Sequence, residues 1–263
     1  MGTITDEIGQ YQKFITATHA VVHQDLPKAS RKCSDLRKQA VSGYGTFLSQ
    51  SEELAGHGTE LVGYLEDKKD STSNKQLLSK YVEPFLLGKK GANQVAERLY
   101  GNIEFKSATS ERSRAFARKF KKKGDLKKFL AHMLKLRSKV TFSLNAVLTS
   151  QAKLATLDAA IFRSRYYLSG SLLNHSSSMP ISRGFGQKLA HARKVVDSLG
   201  SDHQDKARFV KIIEEKSDTV QELMSRASTL GMKADGIRGA RFSIQSMKKF
   251  AEIEKKLQLF GIT

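Results

Sequence analysis

The sequence predicts an all-α protein, an elongated antiparallel bundle of long, kinked helices with coiled-coil-like seams. Two observations predict this fold class. The 263 residues include only three prolines, and proline is the residue that helices tolerate least. Apolar residues also recur every seven positions in long columns, which places them along one face of a helix. We therefore expect a single elongated helical domain over residues 1–263, with a weak boundary at the stretch 174–186.

The first predicted helix covers residues 4–65 and carries two apolar columns. The columns are Ile8, Ile15, Val22, Ala29 and Leu36, and Leu26, Cys33, Ala40, Phe47, Leu54 and Leu61. An uninterrupted helix of this length would extend roughly 90 Å, at about 1.5 Å per residue. Because Pro27 cannot donate a backbone N–H, we expect a kink or a short break near Leu26.

The polar stretch 66–75 predicts the loop that ends this helix. Apolar residues then predict a second helix over 77–103. Pro84 and the glycines of 88–91 are expected to bend it, because proline and glycine both weaken a helix interior.

A third helix is expected to resume after a break at Gly124 and Asp125, where Asp125 can cap it, and to run to about Leu173. The stretch 174–186 is rich in serine and glycine and predicts a loop. Beyond it, the apolar residues fall into two further columns over 189–227 and into a last amphipathic piece before the C-terminus.

One part of the chain, residues 112–139, carries most of the positive charge, and we call it the basic segment. It holds twelve Lys or Arg residues and one acid, Asp125, a local charge of +11 out of +19 for the whole chain. Such a concentration attracts polyanions, commonly nucleic acid or an anionic membrane face, although a merely solvated helix face would show the same run. Three phenylalanines interleave with the lysines, namely Phe116, Phe120 and Phe129. Their rings could insert among lipid headgroups or stack on bases. Alternatively, they form the side of the helix that faces the core.

The residues with catalytic or ligand-binding chemistry form no recognisable pattern. Neither a phosphate-binding loop of the Gly-x-x-x-x-Gly-Lys type nor a Gly-x-Ser-x-Gly elbow occurs. His19 and His23 stand one helical turn apart, but no third ligand is nearby in sequence. We therefore expect a protein that is not an enzyme, with no catalytic residue, cofactor or metal.

The lone Cys33 forbids an intramolecular disulfide and fits a reducing compartment. The first ten residues lack the pattern of a secretory signal, and no apolar stretch reaches the roughly 18 residues that a membrane span needs. We expect a cytoplasmic protein that is soluble or lies on a membrane surface.

Over about residues 4–140 the chain resembles the BAR-domain superfamily of membrane-curvature modules. The likeness consists of a long opening helix, a polar loop, a basic stretch and the run Tyr81–Phe85, Tyr-Val-Glu-Pro-Phe, which is similar to the Val-x-Pro-Leu type bend of these modules. The resemblance implies an antiparallel crescent homodimer whose basic face presses on membrane rich in phosphoinositide or phosphatidylserine. The chain departs from the pattern in two ways. It has more helix after Leu173 than a minimal module needs, and the glycines over 231–239 interrupt its last segment.

We therefore predict a non-enzymatic scaffold that binds and curves anionic membrane from the cytoplasmic side. Carried over from the resemblance, the lipid contacts are Arg112, Arg114, Arg118, Lys119, Lys121, Lys122, Lys123, Lys127 and Lys128. The first alternative is a basic helical nucleic-acid-binding protein of the nucleoprotein kind. The second is a helical pore-forming toxin, whose insertion hairpin over 140–173 would be interrupted by Lys153, Asp158, Arg163 and Arg165.

Overall fold

A computed structural model describes residues 2–67, 88–101, 111–176, 180–245 and 247–262. Within these ranges no strand is present, which confirms the all-α prediction. The helices are α1 (Gly2–Ala20), α2 (Leu26–Asp67), α3 (Lys89–Gly101), α4 (Glu111–Arg118), α5 (Lys123–Ser176), α6 (Pro180–Asp197), α7 (Lys206–Gly236) and α8 (Phe250–Leu257), the last followed by a 3-10 turn, Gln258–Phe260.

A π-helical turn, Val21–Asp25, separates α1 from α2 next to the proline that predicts an interruption. Pro27 has no N–H to donate to the carbonyl of His23, four residues earlier. The N–H of Leu26 bonds instead to the carbonyl of Val21, one residue further back than in an α-helix. The departure from α geometry therefore falls in the turn that precedes the proline.

The contacts divide the chain into two compact units. Unit one contains residues 1–36 and 153–241, and unit two contains residues 37–152 and 242–263. The stretch 174–186, which the sequence marks as a weak boundary, lies within unit one.

In unit one, α1 and α6 each pack against α7 around an apolar core. Ile15, Val22 and Leu172 are fully buried members of this core. Cys33 also lies in unit one and is buried, and its Sγ accepts the N–H of Ala240 at 3.3 Å.

In unit two, residues of α2, α3, α4, α5 and α8 form a second core. Leu54, Leu61, Val95, Leu126 and Leu130 are at most 1% exposed within it. The second apolar column of the first predicted helix is thus a column of core residues, because every member of it is buried.

The break in the basic segment lies a few residues before its predicted position. The structure interrupts the helix at residues 119–122, and α5 already begins at Lys123. The Oδ2 atom of Asp125 accepts the N–H of Lys122 at 3.1 Å. Asp125 therefore stabilises the helix start by reaching back from within the first turn, as the acidic member of a capping box does.

The loop predicted over 174–186 is mostly helix instead, and this prediction is wrong. Helix α5 continues to Ser176, and α6 begins at Pro180. A proline is compatible with the first turn of a helix, because the N–H that it lacks would have no partner there. The two columns of 189–227 are divided between α6 and α7, and one member of each, Leu199 and His203, lies in the connection between these helices. Helix α2 continues to Asp67, so it includes the first two residues of the loop predicted over 66–75. The rest of that loop and the Pro84 bend lie outside the described residues.

Candidate polyanion-binding site

The basic segment lies on α4, on the connection 119–122 and on the first part of α5. Leu126, Leu130 and Met133 are buried at helical spacing, so the lysines between them point away from the core. Six of the nine predicted contacts are exposed, namely Arg114, Arg118, Lys119, Lys121, Lys122 and Lys128. Lys123 and Lys127 are half-buried, and the side chain of Arg112 lies outside the described part.

The three phenylalanines of the basic segment belong to the core of unit two. Phe116 and Phe120 are 3% and 6% exposed, and Phe129 packs against the same cluster. Ring centroids lie 5.0 Å apart for Phe116 and Phe120, and 5.1 Å apart for Phe120 and Phe129. The three rings therefore form the core-facing side of the segment, which is one of the two interpretations that the sequence allows. These rings anchor the segment and cannot enter a lipid layer without unfolding it.

Glutamates from other helices partly neutralise the basic segment. The Nζ of Lys119 lies 2.8 Å from Oε1 of Glu60 on α2, and the Nζ of Lys127 lies 2.7 Å from Oε1 of Glu97 on α3. Lys123 also pairs with Glu97. Exposed pairs of this kind contribute about 0–1 kcal/mol to stability, so their main effect is to lower the local positive charge.

Other cations of the basic segment keep their charge for an external anion. Among the described residues, no carboxylate contacts the side chains of Lys128, Lys135 or Lys139, all of which are exposed. The three stand seven and four residues apart on α5, a spacing that puts them on one side of the helix. Lys135 and Lys139 are not among the nine predicted contacts and join the candidate site through this shared side.

Phe142 extends the same side of α5 and is 77% exposed. It stands seven residues after Lys135, so it follows the register of the lysines and not that of the buried leucines. Sequence reasoning missed this residue. Its register was the available signal, because an apolar residue in a polar column points outward.

Unit one carries a separate exposed aromatic surface on the later part of α5. Phe162, Tyr166 and Tyr167 are 48%, 64% and 68% exposed. The rings of Phe162 and Tyr166 are nearly parallel, with centroids 6.1 Å apart at 14°. The guanidinium carbon of Arg165 lies 5.4 Å from the centroid of the Phe162 ring. Such a surface can stack on a planar ring, with the arginine supplying charge.

A lysine contacts the histidine pair His19 and His23, which lies on α1 and the π-helical turn. The rings of His19 and His23 stack with centroids 4.2 Å apart, and the Nζ of Lys233 donates to Nδ1 of His23 at 2.8 Å. Partial desolvation, and then the charges of Lys233 and His19, lower the pKa of His23 below its ordinary value. A cation already stands where a metal ion would approach Nδ1.

No helix among the described residues is both long enough and apolar enough to cross a membrane. Comparisons of the chain with protein-family models, with curated proteins and with solved structures find no match. The resemblance to the BAR-domain superfamily therefore stays a prediction.

Proposed function

We propose that this protein is a non-enzymatic membrane-surface scaffold that docks the outward side of the basic segment on anionic lipid. The observation that carries the proposal is the column of Lys128, Lys135 and Lys139, which no described carboxylate contacts and which ends beside the exposed ring of Phe142. Cations without an internal counter-ion present their whole charge to an external surface.

The electrostatic contribution is large enough to hold the protein on a membrane. A Lys or Arg close to an anionic leaflet contributes about 1 kcal/mol, so the three lysines of the column supply about 3 kcal/mol. Arg118 and Lys122 are also exposed and add to the same attraction. Because the Debye length is only about 10 Å at 0.1 M salt, binding should weaken steeply as the salt concentration rises.

Phe142 favours lipid over a purely polar polyanion. An interfacial helix places apolar rings below the headgroups while its lysines stay among the phosphates, and the column has this arrangement. Complete burial of a phenylalanine side chain contributes about 1.5–3 kcal/mol. An exposed ring at this position would contribute in a lipid layer and gain little against a phosphate backbone.

In the form implied by the resemblance, two copies build an antiparallel crescent of kinked helices with coiled-coil-like seams. The elongated homodimer would act in the cytoplasm, at the periphery of the membrane. The lengths of α2 and α5, 42 and 54 residues, support a scaffold of long helices.

Co-sedimentation with vesicles tests the proposal. The purified protein should pellet with vesicles that contain phosphatidylserine and stay in solution with neutral vesicles. The triple variant Lys128→Glu, Lys135→Glu, Lys139→Glu should lower the partition coefficient at least about 100-fold, because each reversal removes at least about 1 kcal/mol of attraction.

A matched variant separates a local site from net charge. Lys13, Lys153 and Lys255 are exposed lysines outside the basic segment, and replacing them with glutamate changes the net charge by the same amount. This control should lose far less binding than the first triple variant, and equal losses in the two would contradict a local site. Phe142→Ser should weaken binding about tenfold while leaving its salt dependence unchanged.

A second candidate function, binding of single-stranded nucleic acid, is favoured by the aromatic surface of Phe162, Arg165 and Tyr166. Base stacking on an aromatic side chain contributes about 1–3 kcal/mol per base. A labelled single-stranded RNA should then lose affinity in the double variant Phe162→Ser, Tyr166→Ser and keep it in Phe142→Ser. RNA binding with this pattern, together with protein that ignores anionic vesicles, would replace the membrane proposal.

A further inference from the structure

Unit two brings two histidines and a glutamate to one place on its surface. Glu53 and His57 stand four residues apart on α2, so they share one side of that helix. His132, which lies on α5, faces them. One ligand atom from each of the three residues lies within 4.8 Å of the other two.

The distances between the ligand atoms approach those of a metal site. Nε2 of His132 lies 3.1 Å from Oε1 of Glu53, and Nε2 of His57 lies 3.9 Å from the same oxygen. Ligands at about 2.0–2.1 Å from a tetrahedral zinc ion are separated from one another by about 3.3–3.4 Å. Small side-chain rotations would therefore bring all three atoms to bonding distance of a shared ion.

The surroundings of His57 set the direction in which its ring points. The ring meets the ring of Phe129 edge to face, with centroids 5.2 Å apart at 82°. Its other nitrogen, Nδ1, lies 4.0 Å from Oε2 of Glu60, and Glu60 is itself held by Lys119 at 2.8 Å. A carboxylate that accepts the N–H behind a ligating histidine is the usual outer partner in zinc sites. At 4.0 Å Glu60 is beyond hydrogen-bond distance of Nδ1, and a small rotation of its side chain would bring it into that position.

The chemistry of the donors selects the ion. Two imidazole nitrogens and one carboxylate suit Zn²⁺ and related divalent transition metals, whereas Mg²⁺ and Ca²⁺ prefer oxygen ligands alone. Glu53 and His132 have side chains 50% and 51% exposed, so an ion can reach them from solvent and keep water at its remaining positions.

We propose that Glu53, His57 and His132 form a binding site for a divalent transition-metal ion of the zinc class. The bound ion joins α2 to α5 within unit two and so stabilises the folded form of that unit. The site is independent of the membrane proposal, because it needs no lipid and uses none of the lysines of the column.

Zinc titration of the metal-stripped protein tests the site directly. Calorimetry in the absence of lipid should show one Zn²⁺ bound per chain, and Zn²⁺ should raise the melting temperature, because a ligand that binds only the folded form stabilises it. His132→Gln replaces an exposed ligand and should abolish both effects. Glu60→Gln leaves all three ligand atoms in place, so this variant should still bind one Zn²⁺ per chain.

Two controls use histidines outside the cluster. His191 is exposed on α6, so His191→Gln should bind Zn²⁺ like the unaltered protein. The double variant His19→Gln, His23→Gln should also bind normally. No zinc binding by the stripped protein, binding that survives His132→Gln and Glu53→Gln, or binding lost in the His19 and His23 variant would each overturn the proposal.

Discussion

Replacing Gly58 with alanine should destabilise unit two through a contact with one ring. A Cβ atom at Gly58 would lie 2.5 Å from Cζ and 2.9 Å from Cε2 of Phe260, well inside van der Waals contact. Phe260 is only 3% exposed, and its carbonyl oxygen accepts a hydrogen bond from Nε of Arg137 at 2.7 Å. The ring has little space to move away, so the added methyl group must strain this part of the core.

The magnitude follows from two opposing contributions. Overpacking a core usually destabilises a protein by about 1–3 kcal/mol, whereas glycine to alanine within a helix stabilises it by about 1 kcal/mol. Gly56 lies on the same helix with nothing within 4 Å of an added Cβ, so Gly56→Ala shows the helix contribution alone. We expect Gly56→Ala to raise the free energy of unfolding by about 1 kcal/mol and Gly58→Ala to lower it by about 1 kcal/mol.

Urea unfolding followed by circular dichroism measures both variants. A second pair in the Phe260→Leu background identifies the cause, because a smaller side chain should remove most of the difference between Gly56→Ala and Gly58→Ala. If Gly58→Ala stabilises the protein as much as Gly56→Ala does, Phe260 does not pack tightly against α2 at Gly58, and the prediction is wrong.

Two buried tyrosines give further predictions. Burial raises the pKa of Tyr11 from 10.0 to about 12, so the folded protein keeps a proton that the unfolded chain has lost. The free energy of unfolding should therefore fall as the pH rises from about 10 to about 12, and Tyr11→Phe should flatten this fall; parallel curves for the two proteins would contradict it. The buried hydroxyl of Tyr44 has no hydrogen-bond partner among the described residues, so Tyr44→Phe should raise the free energy of unfolding by about 1 kcal/mol in urea. A loss of stability in Tyr44→Phe would show that the hydroxyl does have a partner.

The parts of the fold that depend on local periodicity were predictable from the sequence. Six residues spaced seven apart, from Leu26 to Leu61, are all buried, because helical spacing alone puts them on one face. The scarcity of proline likewise predicts the all-α class. The bundle arrangement and the seams between helices stay predictions, since they depend on how distant helices meet.

The helix ends were less predictable, because single side chains decide them. Asp125 predicts a cap at its own position, but its carboxylate accepts the N–H of Lys122, and the helix starts earlier in the chain, at Lys123. The serines and glycines of 174–186 predict a loop, but α6 begins within this stretch, with Pro180 as its first residue.

The candidate site shows the same limit more clearly. The charge of the basic segment is visible in the sequence, but Glu60 and Glu97, which take up part of it, come from other helices. The Glu53 and His57 spacing was visible too. His132 joins them across 75 residues of sequence, and no local pattern indicates that contact. Exposure of Phe142 could have been inferred, because the lysine register already indicates which side of α5 faces water.

The buried sulfur atom of Cys33 makes the chain suitable for labelling without any engineering. It is the one thiol of the sequence, and the backbone at Ala240 covers it. An alkylating reagent can reach it only after that backbone has moved away, so the rate of modification reports how often this part of unit one opens. The rate of Cys33 alkylation, followed by mass spectrometry, therefore measures local opening of unit one at a single position.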